Sequence, residues 1–183
     1  MNRKEKSFFV MTALFAVLLV ATENTVAQQL EETSKNYSNP TYRFSVLVPN
    51  DWKLHGELKN DTMQHRAIVD WGLPKIYSDI EKTDIENSIS ITAYKRTDIK
   101  SVDDLILWET SRVNAIMTVL EVDKPSENAR IYTTMIRGLK YKGKSYFVFN
   151  NGIGYVITFM ATPGTFDKNI NVFEKFYNLV KYN

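Results

Sequence analysis

"NPTYRFSVLVPNDWKL", residues Asn39 to Leu54, places Tyr42, Phe44, Val46 and Val48 in alternation with Arg43, Ser45 and Leu47. A period of two is the spacing of a strand with one buried face, and Leu47 adds partial cover on the other. Pro49 ends the run, because proline brings no N–H to a continuing ladder. Asn50, Asp51 and Trp52 form a turn. Trp52 is then expected to fold back over the open end of the core and bury its ring, rather than to stack on a ligand.

Downstream, a second strand is expected over Thr62–Trp71, with "KND" (Lys59–Asp61) as the turn before it and Gly72 and Pro74 after it. Leu73 to Glu86 has no clean period and reads as a long irregular stretch. "NSISITAYK" alternates again and predicts a third strand. Ser101 and Asp104 then form an S-x-x-D helix start, with Asp103 and Asp104 favoured near the positive helix end. Val102, Leu105, Ile106, Val113, Ile116, Met117 and Leu120 make an apolar stripe, and Glu109, Arg112 and Asn114 fall largely on the wet side. Pro125 sits in the turn that follows.

Three more strands are expected in "ARIYTTMIRGL", "KSYFVFNN" and "GIGYVITFMAT". The first two join around Lys142–Gly143, and "NNG" marks a tight turn between the second and third. Pro163–Gly164 closes this meander. A last helix runs from about Phe166 to Val180 with a stripe of Phe166, Ile170, Phe173, Tyr177 and Val180, widened by Phe176 and Leu179. Three strands, a helix, three strands and a helix favour an α+β layer architecture with an antiparallel sheet.

Upstream, Arg3, Lys4 and Lys6 precede the apolar run Phe8–Ala21, and a polar stretch ends with Thr25 and Ala27 at small-residue positions. That order is a secretory signal, with cleavage expected after Ala27. The apolar run is shorter than the about 20 residues a membrane-spanning helix needs, so no integral span is expected once the signal is removed. Residues 28–40 are polar and aperiodic and read as a flexible leader, leaving 41–183 as a single domain. Localisation is expected to be periplasmic or secreted. The chain contains no cysteine, which excludes disulfides, thiolate catalysis and a lipoprotein anchor. With 23 basic and 21 acidic residues mixed along the chain, no nucleic-acid partner is expected.

The opening pattern Y-x-F-S-V-x-V-P-x-x-W resembles the N-terminal signature of the PsbP-like and Mog1-like superfamily. The G-x-G-Y-V-I-T-F-x-A strand with its closing F-E-K-F-Y-N-L-V helix is similar to that group's tail, and "ISITAYKRTDIKSVDDLI" to its strand and capped helix. The resemblance implies an α/β/α sandwich, a central antiparallel sheet flanked by helices. The group's members are chiefly non-catalytic: extrinsic photosystem subunits, a small-GTPase-binding protein and bacterial envelope proteins. No functional residue carries over, since none of the group's binding motifs is recognisable here.

Searching the residues for chemistry gives no catalytic, cofactor or metal site. Neither G-x-S-x-G nor a P-loop or dinucleotide glycine motif occurs, and the G-x-G of "NNGIGY" opens a strand, not a helix. Asp79, Glu81, Asp84 and Glu86 lack the glycine and spacing of a calcium loop. The aromatics of the last meander, interleaved with Lys140, Lys142 and Lys144, read as core and sheet cover. His55 and His65 lie ten apart without an H-x-x-x-H pattern, and two surface histidines is the plainer reading. Asp70–Lys82 is the candidate partner-binding loop, with Trp71 and Tyr77 of the types enriched at interface anchors. The expected function is therefore an exported, non-catalytic envelope module that binds an envelope protein and carries no cofactor. The alternative is a small-molecule- or metal-binding enzyme using His55, His65 and nearby carboxylates.

Overall fold

The computed structural model describes residues 33–136 and 138–183. The expected signal, its cleavage point and the first part of the leader lie outside them. The chain divides into two compact units, and Asn36–Asn183 contains the elements given below except for Ser34 and Lys35 at the start of the first strand.

Among the described residues, twelve strands and two helices follow one another as β1 (Ser34–Asn39), β2 (Phe44–Pro49), β3 (Lys53–Asp61), β4 (Arg66–Gly72), β5 (Ile76–Ser78), β6 (Thr83–Ile85), β7 (Ser88–Tyr94), α1 (Val102–Ile116), β8 (Thr118–Ser126), β9 (Ala129–Ile136), β10 (Leu139–Asn150), β11 (Ile153–Ala161), α2 (Pro163–Leu179) and β12 (Lys181–Tyr182). Seven strands form the main sheet in the order β3-β4-β7-β11-β10-β9-β8, every neighbouring pair antiparallel. A small sheet, β1-β2-β12, and the hairpin β5-β6 complete the set.

Side-chain alternation assigns the two faces of the main sheet. Ile153, Tyr155, Ile157 and Phe159 of β11, with Ile89 and Ile91 of β7 and Val69 and Trp71 of β4, point into the larger core. Phe166, Phe173 and Phe176 of α2 and Phe44, Val46 and Val48 of β2 close that core from outside. On the opposite face Tyr94, Phe147 and Val156 meet Leu105 of α1. Helices thus cover both faces of one antiparallel sheet, the α/β/α arrangement expected from the sequence.

Several local readings hold in detail. Pro49 is the last residue of β2, the Trp52 N–H donates back to the Pro49 carbonyl at 3.1 Å, and the Trp52 ring stacks on Phe176. Ser101 caps α1 by accepting from the Asp104 N–H at 3.1 Å.

Others need correction. Ser34–Asn39, expected as leader, is strand β1. The segment before Thr62 is not a turn but the end of β3, an edge strand whose side chains are almost all exposed and so carry no apolar pattern. The turn lies at residues 62–65, where the Asp61 carboxylate accepts from the N–H groups of Met63 and Gln64. Leu73–Glu86 contains the hairpin β5-β6, held against the start of α2 by Lys168, which donates to the Tyr77 carbonyl. Helix α1 stops at Ile116, and Met117 is already extended, so Leu120 belongs to β8. Pro125 sits inside that strand, at the sheet edge where a missing N–H costs no ladder bond. β9 and β10 turn at Gly138, not at Gly143, and α2 begins at Pro163, a residue type pre-shaped for the first helical position.

Candidate functional site

Leu105, fully buried, brings α1 down onto the sheet where β11 begins. Gly154 permits this, since a Cβ there would stand 2.8 Å from a Leu105 methyl. Farther along, the C-terminal half of α1 and the β8–β9–β10 wing of the sheet enclose a cleft of about 480 Å³. Ile106 and Val113 from the helix and Val119 and Phe147 from the sheet form its apolar walls. Tyr132, Ser145 and Thr158 supply hydroxyl groups on its floor, and Lys124 and Arg130 stand on the wing strands. Gly143 pairs with Tyr132 across β10 and β9. A Cβ at Gly143 would lie 2.5 Å from the Tyr132 ring, so the glycine is what lets the ring lie on the strand.

Glu109 also lines the cleft, and it is the buried carboxylate on the helix face expected to be wet. The Tyr94 hydroxyl donates to its Oε2 at 2.6 Å, and Arg112 donates to both of its oxygens, one turn away. The Glu109 hydrogen bond holds the Arg112 guanidinium firmly charged. Burial, reinforced by the Glu109 charge, pushes the Tyr94 phenol well above its ordinary range. Burial likewise pushes the Tyr132 phenol up to about 12. Ser145 and Thr158 hydroxyls share a hydrogen bond of 2.8 Å. These phenols stay protonated at neutral pH, so they can donate hydrogen bonds but are poorly matched to taking protons from a substrate.

The residues singled out in the sequence do not gather here. Trp71 lies on β4, 3% exposed, against Tyr37 and Phe176 in the larger core. It is therefore a packing residue and not part of an open loop. Tyr77, on β5, is half exposed.

His55 and His65 do not converge. His65 closes the 62–65 turn with a positive φ of 50° and is exposed. His55 occupies a bulge in β3, between Leu54 and Gly56 in the register with β4. Bulges re-aim side chains, and this one sets the ring between Asp70 (Nδ1 to Oδ2, 3.7 Å) and Glu86, which Nε2 contacts. Among the described residues no group of three His, Asp or Glu side chains could hold a metal ion.

Asp70 gives a pH prediction. Burial holds its carboxyl above the ordinary range, although His55 beside it acts in the other direction. The folded state thus binds this proton more tightly than the unfolded chain. Stability falls as pH rises from about 3.9, the unfolded value, through the raised folded value. Asp70→Asn removes that slope. Its melting temperature should exceed that of the unmodified protein at neutral pH, and the difference should vanish below about pH 3.9.

Sequence reading missed Glu109, Tyr132 and the cleft itself. Two signals were present: a glycine inside a β-rich run, which marks close approach, and the i, i+3 pair of Glu109 and Arg112.

A seven-stranded antiparallel sheet with helices on both faces, closed at one end by a proline-terminated strand and its tryptophan, is a PsbP-like α+β fold. The solution structure of cyanobacterial PsbP (CyanoP) from Synechocystis sp. PCC 6803 matches with a TM-score of 0.52 and 12% identity, covering 82% of this chain and 93% of that one. A Pseudomonas aeruginosa protein of unknown function, PA94, matches with a TM-score of 0.47, 11% identity, and coverage of 78% and 92%. A Bacteroides thetaiotaomicron VPI-5482 structure matches with a TM-score of 0.43, 15% identity, and coverage of 82% and 49%. At such identities the likeness concerns the fold alone. No family model matches the chain, and no curated protein matches it significantly.

Proposed function

We propose that this protein is an exported, non-catalytic binding module of the cell envelope, and that its working surface is α1 with the β8 wing. The observation that carries the reading is the chemistry of the cleft. Its buried carboxylate is occupied by Tyr94 and Arg112, and the Tyr132 phenol on its floor is held protonated, which suits recognition better than proton abstraction. Leu107 on α1 and Leu120 and Val122 on β8 present exposed apolar side chains, as a protein-contact surface does, and Val122 also lines the cleft. Export rests on the N-terminal basic, apolar and small-residue order. No helix among the described residues is long and apolar enough to cross a membrane.

Two measurements test the reading. N-terminal sequencing of protein recovered outside the cytoplasm should begin at Gln28, and an intact Met1 in the cytoplasmic fraction would refute export. A photo-crosslinking residue at Leu120 should trap one envelope protein in cells, while the same residue at Tyr77 should trap none. Trapping at Tyr77 alone would move the surface to the β5-β6 hairpin, and trapping at neither position would refute protein binding through these surfaces.

A further inference from the structure

We infer that the cleft beneath α1 binds a small amphipathic monocarboxylate, its apolar body between α1 and the sheet and its carboxylate toward Lys124 and Arg130. The inference rests on the cleft being a binding site rather than an active site.

Size comes first. Protein interiors are close-packed with few voids larger than a water, whereas about 480 Å³ falls within the roughly 300–1,000 Å³ of small-molecule sites. The walls set the body of the ligand. Ile106, Val113, Val119 and Phe147 offer no hydrogen bond, so the part of a ligand between them must be apolar.

The charges set the head. Among the described residues Glu109 is the one carboxylate lining the cleft, and Arg112 neutralises it through both oxygens. Lys124 from β8 and Arg130 from β9 are the other charged groups there, and neither joins any ion pair among the described residues. Arg130 is also held in place. Its Nη1 donates to the carbonyls of Ser126, Glu127 and Ala129 at 2.7–3.1 Å, which leaves Nε and Nη2 for another acceptor. A guanidinium fixed in this way meets a carboxylate with little loss of its own freedom.

The hydroxyls add no opposing charge. Ser145 and Thr158 bond each other and both reach the Tyr132 hydroxyl, so the floor is a neutral, mutually bonded cluster. The charge of the cleft is therefore set by the two cations, and an anionic head satisfies them. A cationic ligand would face Lys124 and Arg130 with its charge uncompensated.

The test uses the purified exported protein and three ten-carbon probes with the same chain: decanoate, decan-1-ol and decyltrimethylammonium, titrated by calorimetry. Decanoate should bind at least about tenfold more tightly than the alcohol, and the cation should not bind. Val113→Trp, which fills the cleft, and Lys124→Glu, at an exposed position that the fold does not need, should each weaken decanoate about tenfold or more. Equal affinity for acid and alcohol, binding unchanged in both variants, or no decanoate binding up to about 1 mM would overturn the inference. Mass spectrometry of recovered decanoate separates the two readings. Bound but chemically altered decanoate would refute the non-catalytic reading and keep the ligand class. Absence of binding would remove the ligand class and leave the protein-contact surface untouched.

Discussion

Trp71→Ala should lower stability by about 3–5 kcal/mol, a fall in melting temperature on the order of 10 °C. The ring is 3% exposed and meets Tyr37 edge-on at 5.3 Å and Phe176 at 5.6 Å, where Phe176 also carries Trp52. Removing it opens a cavity at the junction of the main sheet, β1 and α2, and aromatic contacts are lost with the buried area. Tyr77→Ala, at a half-exposed position on the hairpin, should stay within about 0.5 kcal/mol of the unmodified protein. Thermal or urea unfolding of both variants checks the contrast. A mild effect at Trp71 would mean that this part of the core is packed differently. The pair also matters for interpretation: any loss of partner binding in Trp71→Ala reports on folding before it reports on an interface.

The second large effect is expected at Glu109. Glu109→Ala strips the acceptor from Arg112 and from the Tyr94 hydroxyl beneath α1. Breaking one side of a buried ion pair costs about 3–5 kcal/mol, and the partial exposure of Arg112 places this pair near about 2–3 kcal/mol. Replacing both residues, as in Glu109→Met with Arg112→Leu, should recover most of the loss, because no charge is then left stranded. Urea unfolding of Glu109→Met, Arg112→Leu and the double variant measures the coupling directly. Additive losses would show that the two side chains do not depend on one another.

What the sequence made legible follows from burial. β2 and β7 were readable because one face of each is packed and the other is less so, which writes a period of two into the residues, whereas β11, buried on both faces, was readable as a β-rich run after the "NNG" turn signal. The start of α1 was readable because Ser101 satisfies a specific backbone N–H. β3 and β8 were not, for a common reason. They are the two edges of the main sheet, their side chains are mostly exposed, and each has two irregularities in its register. Without a buried face there is no alternation to read. The cleft was hidden for another reason. Its lining comes from α1 and four strands spread from Ile106 to Thr158, so the two local signals, Gly143 and the Glu109–Arg112 pair, do not show that these segments converge. Glu109 was placed on the wet face because a helical stripe ranks residues by polarity, whereas its burial depends on Tyr94, fifteen residues away on β7.

The pairing of β12 with β2 bears on timing. Tyr182 lies opposite Phe44 and the Asn183 N–H donates to the Arg43 carbonyl, so the strand that opens the core is completed by residues from the far end of the described chain. Contacts so distant along the sequence are slow to form, because a long loop must close before they return any stabilisation. The small sheet can therefore be finished only after synthesis has reached Asn183. Until then β2 lacks its β12 neighbour, which makes this closure a late step of folding.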